Sequence, residues 1–399
     1  MSVIFVARLA AAILAAYATF WALYVVLVPL FGQLRRSRSP MTGAQARQGT
    51  PAVAVIVPSH DMAAVIVRCV QSLRAMRYPA DKLRVFVVAD HCTDQTAALA
   101  ESAGATTFTR DDGPPGKTYT IAWTLDALRK SGIRPDVYVI TDATAHVEPG
   151  FLAALVARWQ LGEDIVVAHS LVDLTNQKWF AQCLGLTLVH RNLQNLARER
   201  LRLSALVEGR GMAYSREYIE RFGWSLALPT ATDASTHPTE DWRHGVRVVE
   251  HGYRVAFAED AHVYTPLRET LSAATQQGMR WERGRMANAA THGLNVLVQA
   301  VRERKVRMMF AALDAIQLPV AVLGAVTVLA GLLAVVIPGP AWFRALGLSP
   351  VIMVGIYGTF VVAQGQREGI RASAIAWAPV YVLWRCASFV LAFVAPGRR

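Results

Sequence analysis

Cysteine is scarce in this 399-residue chain: four residues, Cys69, Cys92, Cys183 and Cys386, with no CxxC pair among them. That argues against a disulfide framework or a thiolate zinc centre and suits reduced thiols in a protein facing the cytosol. His91 beside Cys92 invites a metal reading, but adjacent residues without two more suitably spaced ligands do not make a site. Charge is also thin, at 18% of residues, and lopsided: 29 acidic against 41 basic side chains, net +12, pI near 9.9. No internal repeat is visible. The basic excess raises nucleic acid as a partner. The arginines, however, lie beside apolar runs (Arg35, Arg36, Arg302, Arg304, Arg307) and in one helix-like stretch, Arg191 to Arg202. There they suit anionic lipid headgroups, and no RNA- or DNA-binding motif accompanies them. Membrane lipid is therefore the expected partner, and nucleic acid is not.

Hydrophobic residues make up 53% of the chain and mean hydropathy is +0.29, too apolar for an ordinary soluble protein and too polar for a many-helix transporter. The apolar residues are unevenly placed. Leu9 to Phe31 carries no charge and is long enough to cross a bilayer. It ends in Arg35, Arg36 and Arg38 rather than a small-residue cleavage site, which favours a retained anchor and places the next loop on the cytoplasmic side. Three more candidates follow at Met308–Ile337, Val351–Ala363 and Ala374–Ala395; Arg385 near the middle of the last suggests an interfacial position. The side of the C-terminus stays open, because Arg398 and Arg399 favour the cytoplasm while four full spans from an external N-terminus do not. The expected organisation is an anchor over 1–33, a linker over 34–50, a globular domain over 51–266, amphipathic interface helices over 267–306 and a membrane region over 307–399.

Within the globular part, Ala52 to Val57 reads as a buried parallel strand, Leu83 to Ala89 as a second ending at Asp90, and Val137 to Ile140 as a third ending near Asp142. Helical patterns run over 65–76, 93–102 and 117–128, and another starts at Pro149. This alternation implies an α/β, doubly wound sheet. Ligands bind such sheets beyond the carboxyl ends of the strands, where Asp90 and Asp142 stand.

Two short strings then carry the chemistry: Thr239-Glu240-Asp241, and downstream Gln277-Gly278-Met279-Arg280-Trp281, just before the membrane-length segments. With Val55 to His60, Val87 to Thr96, Gly116-Lys117 and Gly209 to Met212, in that order, they resemble the membrane-bound family 2 glycosyltransferases. That group includes the cellulose, chitin-oligomer and hyaluronan synthases and bacterial exopolysaccharide transferases. The resemblance covers Val53 to Arg285. It implies a GT-A domain at a bacterial inner membrane that inverts a sugar donated by a nucleotide-sugar, UDP-linked by expectation. Asp241, with Glu240 beside it, would be catalytic; a carboxylate must take the proton of the attacking acceptor hydroxyl. A simpler reading makes Asp241 a helix cap. The resemblance further assigns Asp90, Lys117, Asp142, Gln277 and Arg280 to the donor and Trp281 to the acceptor sugar, although a tryptophan there also suits an interface anchor.

The pattern breaks at the metal motif. Where the family has Asp-Ala-Asp, this chain has Asp142-Ala143-Thr144, and Met62 stands where a carboxylate is usual. The resemblance implies Mg²⁺ or Mn²⁺ at Asp142 and Thr144, but a hydroxyl is a poorer cation ligand than a carboxylate. Two functions follow. One is a transferase acting on a lipid-linked or glycan acceptor in surface glycan or glycolipid synthesis, with single addition favoured over processive synthesis. The other is a weakened homologue that assembles with glycan-export partners; a homo-oligomer is a further possibility for a polymer channel.

Overall fold

The computed structural model describes residues 3–34, 47–176, 178–229, 240–266 and 270–394. Arg35, Arg36, Arg38, most of the expected linker, Thr239, Arg398 and Arg399 lie outside them, as does the side chain of Glu240. A 32-residue helix, α1 (Val3–Leu34), leads into the domain. Then follow β1 (Val53–Ser59), α2 (Ile66–Arg74), β2 (Leu83–Asp90), α3 (Thr96–Ser102), β3 (Thr106–Arg110), α4 (Lys117–Lys130), β4 (Val137–Ile140), β5 (His146–Val147), α5 (Phe151–Gln160) and β6 (Ile165–Val172). The remainder is α6 (Trp179–Arg200), β7 (Met212–Ser215), α7 (Arg216–Phe222), α8 (Glu240–Glu250), β8 (Val255–Thr265), α9 (Leu271–Asn288), α10 (Leu294–Arg302), α11 (Val306–Ile316), α12 (Val320–Val336), α13 (Ala341–Arg367) and α14 (Ala374–Val394).

The strands form one sheet in the order β3-β2-β1-β4-β7-β6-β8-β5. Its first half is parallel, as the alternation of strands and helices implies. The second half departs from simple winding: β7 enters antiparallel between β4 and β6, while β8 lies parallel to β6. Side chains of the parallel strands alternate between two cores. Val53, Val55, Val57, Val85 and Val87 face the layer of α2 and α5. Ala54, Ile56, Phe86 and Val88 face the layer of α4, α7 and α8. Burial on both faces explains why these strands read as unbroken apolar runs.

Helix α6 couples the sheet to the apolar helices. The expectation that Arg191 to Arg202 meets lipid headgroups fails at its centre: Arg198 is 1% exposed and donates to Asp314 of α11 at 2.6 Å and to Tyr24 of α1 at 3.1 Å. Gln194 donates to the Val25 carbonyl at 2.8 Å, and His190 bonds Tyr357 of α13 at 2.9 Å. Gly32 lies so close to Ala197 that a side-chain carbon there would sit 2.5 Å from its Cα. These groups are satisfied by neighbouring helices rather than by solvent.

Among the described residues three helices, α1, α13 and α14, are long and apolar enough to cross a membrane. The run expected over Met308–Ile337 is instead two helices, α11 and α12, bent by 77° around Gln317–Pro319. Proline lacks the N–H that would continue the helix and disfavours helical backbone before it. The segment expected at Val351–Ala363 is the middle of the 27-residue α13, which carries Pro350 within it. Arg385, which suggested an interfacial α14, turns onto α9 and donates to Glu282 at 2.5 Å.

Candidate active site

The centre of the site is built on backbone that only glycine tolerates. Gly209 follows α6 with φ +68°, and a side-chain carbon on it would stand 2.8 Å from Asp241 Oδ2. Its carbonyl oxygen accepts from Lys117 Nζ at 2.6 Å, and the same ammonium donates to Asp142 Oδ1 at 2.5 Å. Lys117 opens α4, Asp142 stands two residues beyond β4, and Asp241 is in the first turn of α8. Four chain segments thus bring an ammonium and two carboxylates to one glycine. Both members of the Lys117–Asp142 pair keep roughly a third of their side-chain surface, so incoming anionic groups can reach them.

Asp90, 3% exposed, ends β2 and is already clasped. Arg110 at the end of β3 pairs with it, His91 Nδ1 lies 3.0 Å away, and the Gly116 N–H donates at 3.0 Å. Burial alone would raise its pKa; the Gly116 amide, the Thr120 hydroxyl, His91 and Arg110 outweigh that and hold the carboxyl below its ordinary value. Asp90 therefore ties the loop before Lys117 to the strand ends. Arg110 is the residue that sequence reasoning missed, and nothing local announces a partner 20 residues from Asp90.

Helix α8 is braced from below. His244 accepts or donates to Tyr218 OH at 2.8 Å and stacks on Tyr214, with ring centroids 5.6 Å apart. Burial, helped by Arg247, pulls the His244 pKa down to about 3, so the imidazole is neutral at physiological pH. The Trp242 N–H donates to Asp241 Oδ1 at 2.8 Å.

The residues present fit a cation that arrives with a diphosphate better than a preformed metal centre. Asp142 is the sole carboxylate of the motif, and Thr144 beside it is neutral. Mg²⁺ commonly takes one or two carboxylates plus substrate phosphates. Glu148 is occupied, accepting from Tyr264 OH at 2.5 Å and bonded to His262 at 2.9 Å. Another acidic group, Asp61, Cys92 and Asp94, brings its ligand atoms within 4.8 Å of one another. Its carboxylates accept the N–H groups of Thr93, Ala63 and Thr96 at 2.7–2.9 Å, which is a loop clasp.

Gln277, Arg280 and Trp281 lie on α9, whose Gly278 and Glu282 receive Arg385 of α14, while Trp384 donates to Thr275 at 2.9 Å. Arg280 is exposed and Trp281 is 37% exposed. Among the described residues no hydrogen bond or ion pair joins these three to Lys117 or Asp142. The structure thus brings Lys117, Asp142 and Asp241 together and sets Asp90 one loop away.

Residues 51–284, more than half of the chain, match the family described as Glycosyltransferase like family 2. The chain is a family 2 glycosyltransferase. Its mixed α/β sheet is the GT-A-like fold of that family. Among solved structures it is similar to a mannosyltransferase from Pyrobaculum calidifontis, solved with GDP-Man and Mn²⁺, at 16% identity over 97% of this chain and all of that one, TM-score 0.57. It is also similar to glucosyl-3-phosphoglycerate synthase from Mycobacterium tuberculosis, solved with Mn²⁺, UDP and glucosyl-3-phosphoglycerate, at 18% identity over 58% of this chain and 77% of that one, TM-score 0.38. Identities this low speak to fold alone. No curated protein matches the sequence.

Restoring the second carboxylate gives a direct test of the metal motif. Thr144→Asp is expected to strengthen Mn²⁺-dependent UDP binding in calorimetry; an unchanged affinity means that position 144 does not face the cation. The brace under α8 gives a second. His244 takes up a proton in the unfolded chain below about pH 6.5 but not in the folded one, so stability falls as pH drops. Between pH 7 and 5 it contributes a loss of about 2 kcal/mol. Thermal melts of His244→Phe should show a smaller loss of stability over that interval than the wild type. An equal loss contradicts the assignment.

Proposed function

We propose that this glycosyltransferase works at a bacterial inner membrane, moving a sugar with inversion from a nucleotide-sugar, UDP-linked by preference, to a lipid-linked or polysaccharide acceptor in surface glycan or glycolipid synthesis. The convergence of Lys117, Asp142 and Asp241 on Gly209 carries the reading. Asp241 accepts the acceptor hydroxyl's proton as its oxygen attacks the anomeric carbon and the nucleoside diphosphate departs. Lys117 offsets charge growing on the leaving diphosphate, and Asp142 would hold a Mg²⁺ or Mn²⁺ that, when bound, adds further positive charge there. Asp90 orders the loop of Gly116 and Lys117 around the nucleotide. Gln277 and Arg280 meet the diphosphate and Trp281 offers its ring to the acceptor sugar.

The domain limits support the same picture. The unit over 51–266 holds the donor, 267–306 lies at the bilayer surface, and α1 with the helices of 307–399 anchors it, with the catalytic side cytoplasmic. The cellulose, chitin-oligomer and hyaluronan synthases are the subgroup the motifs favour. Single addition is preferred to processive synthesis, since three spans and one bent pair make a thin channel for a polymer. Thr144 favours a second reading, a weakened homologue within a glycan-export assembly, but the closeness of Asp241 to Lys117 and Asp142 favours catalysis.

The purified protein should release nucleotide from at least one donor in a panel of UDP- and GDP-sugars. Asp241→Asn should slow that release by about 10²–10⁴-fold with donor affinity retained. Undiminished release by the variant removes Asp241 as the base. Absence of turnover with every donor favours the assembly reading.

A further inference from the structure

Where the sheet meets the apolar helices, positive charge exceeds what its surroundings neutralise. Arg198 of α6 pairs with Asp314, yet its Nε and Nη1 are buried without a hydrogen-bond partner. Arg385 of α14 pairs with Glu282 of α9. Three residues along α9, Arg285 donates to the Gln317 carbonyl at 2.5 Å, and its Nε, buried without a hydrogen bond, lies 3.9 Å from Glu282 Oε2. Arg191 of α6 links these groups: its Nε lies 3.3 Å from Glu208, and it is near enough to Asp314 and Arg285 for their charges to interact. Among the described residues, five guanidiniums, Arg191, Arg198, Arg210, Arg285 and Arg385, therefore lie with three carboxylates, Glu208, Glu282 and Asp314, a local excess of positive charge.

Charge left unmatched in a partly buried place is costly unless an anion completes it. The place is accessible, because the side chains of Arg191 and Arg285 keep 40% and 28% of their surface, while Arg198, Glu208 and Glu282 form a buried floor. Guanidiniums in this arrangement suit a phosphate, with two parallel donors each. The position is equally telling. Glu208 is bonded in sequence to Gly209, the residue on which Lys117 and Asp241 meet, and the arginines stand on helices packed among those long enough to cross a membrane.

We propose that this arginine cluster seats the phosphate of the acceptor, a phosphate ester carried on a membrane lipid, with Arg191 and Arg285 contacting it directly. The inference rests on the lipid-linked branch of the proposed function, but its test reads binding and so stands or falls apart from turnover. The full-length protein in detergent is titrated with citronellyl phosphate, citronellol and inorganic phosphate by calorimetry. The phosphate ester should bind at least tenfold more tightly than the alcohol and than inorganic phosphate. Arg191→Gln and Arg285→Gln should each weaken it at least tenfold without changing UDP affinity, and Arg191→Lys should recover part of the loss. Equal binding of ester and alcohol overturns the proposal. So does equal binding of inorganic phosphate, which marks a site for free anions, or displacement by equimolar phosphatidylglycerol, which marks ordinary lipid headgroups. The wild-type comparison keeps its force even where a variant fails to fold.

Discussion

Everything at the proposed reaction centre hangs on the closeness that Gly209 permits. Its left-handed backbone and missing side chain let Asp241 lie against it, and its carbonyl fixes the ammonium that also reaches Asp142. Any larger residue would push α8 away from the ends of β4 and α4. The Lys117–Asp142 pair is too exposed to add much stability; pairs of this kind contribute about 0–1 kcal/mol. Its value is positional: it presents a cation and a carboxylate side by side, as a departing diphosphate requires.

The same constraint explains why α6 is so polar for a buried helix. It ends at Arg200, ahead of the segment that leads to Gly209, and must at once cover the sheet and pack on α1, α11 and α13. Its inward face therefore carries Gln182, His190, Asn192, Gln194, Asn195 and Arg198, each buried. Hydrogen bonds from Asn192 to the Ser170 carbonyl and from the Leu206 N–H to Asn195 Oδ1 tie it to the sheet and to the segment leading to Gly209. Removing one partner from such a set leaves its mate unsatisfied, which costs more than the bond itself contributed. The segment that carries Gly209 and the apolar helices are in this way one structure.

Much of the architecture was legible because it is written locally. The parallel strands announce themselves as apolar runs, and Asp90 and Asp142 stand at their ends. Lys117 and Asp241 came from motif order, which preserves what the fold brings together. What stayed hidden is non-local. Lys117 bonds a carbonyl 92 residues away and Arg385 a carboxylate 103 residues away. No periodicity encodes those distances. Strand β7, four residues inserted antiparallel, is too short to show a pattern, and with it the winding of half the sheet went unread. The bend at Gln317–Pro319 was missed for a different reason: hydropathy sums side chains and takes no account of a missing N–H. Arg385 misled because a charge in an apolar run implies water nearby, whereas here the neighbouring helix supplies Glu282.

The central claim is that Lys117, Asp142 and Asp241 surround one reacting sugar. The most direct measurement is an experimental structure of the full chain with an unreactive UDP-2-fluoro-sugar and Mn²⁺. The account predicts the diphosphate against Lys117 and Asp142, with the anomeric carbon open toward Asp241 and room for an acceptor oxygen at about 3–3.5 Å. A donor whose diphosphate lies away from Lys117, or whose anomeric carbon is turned from Asp241, would contradict it.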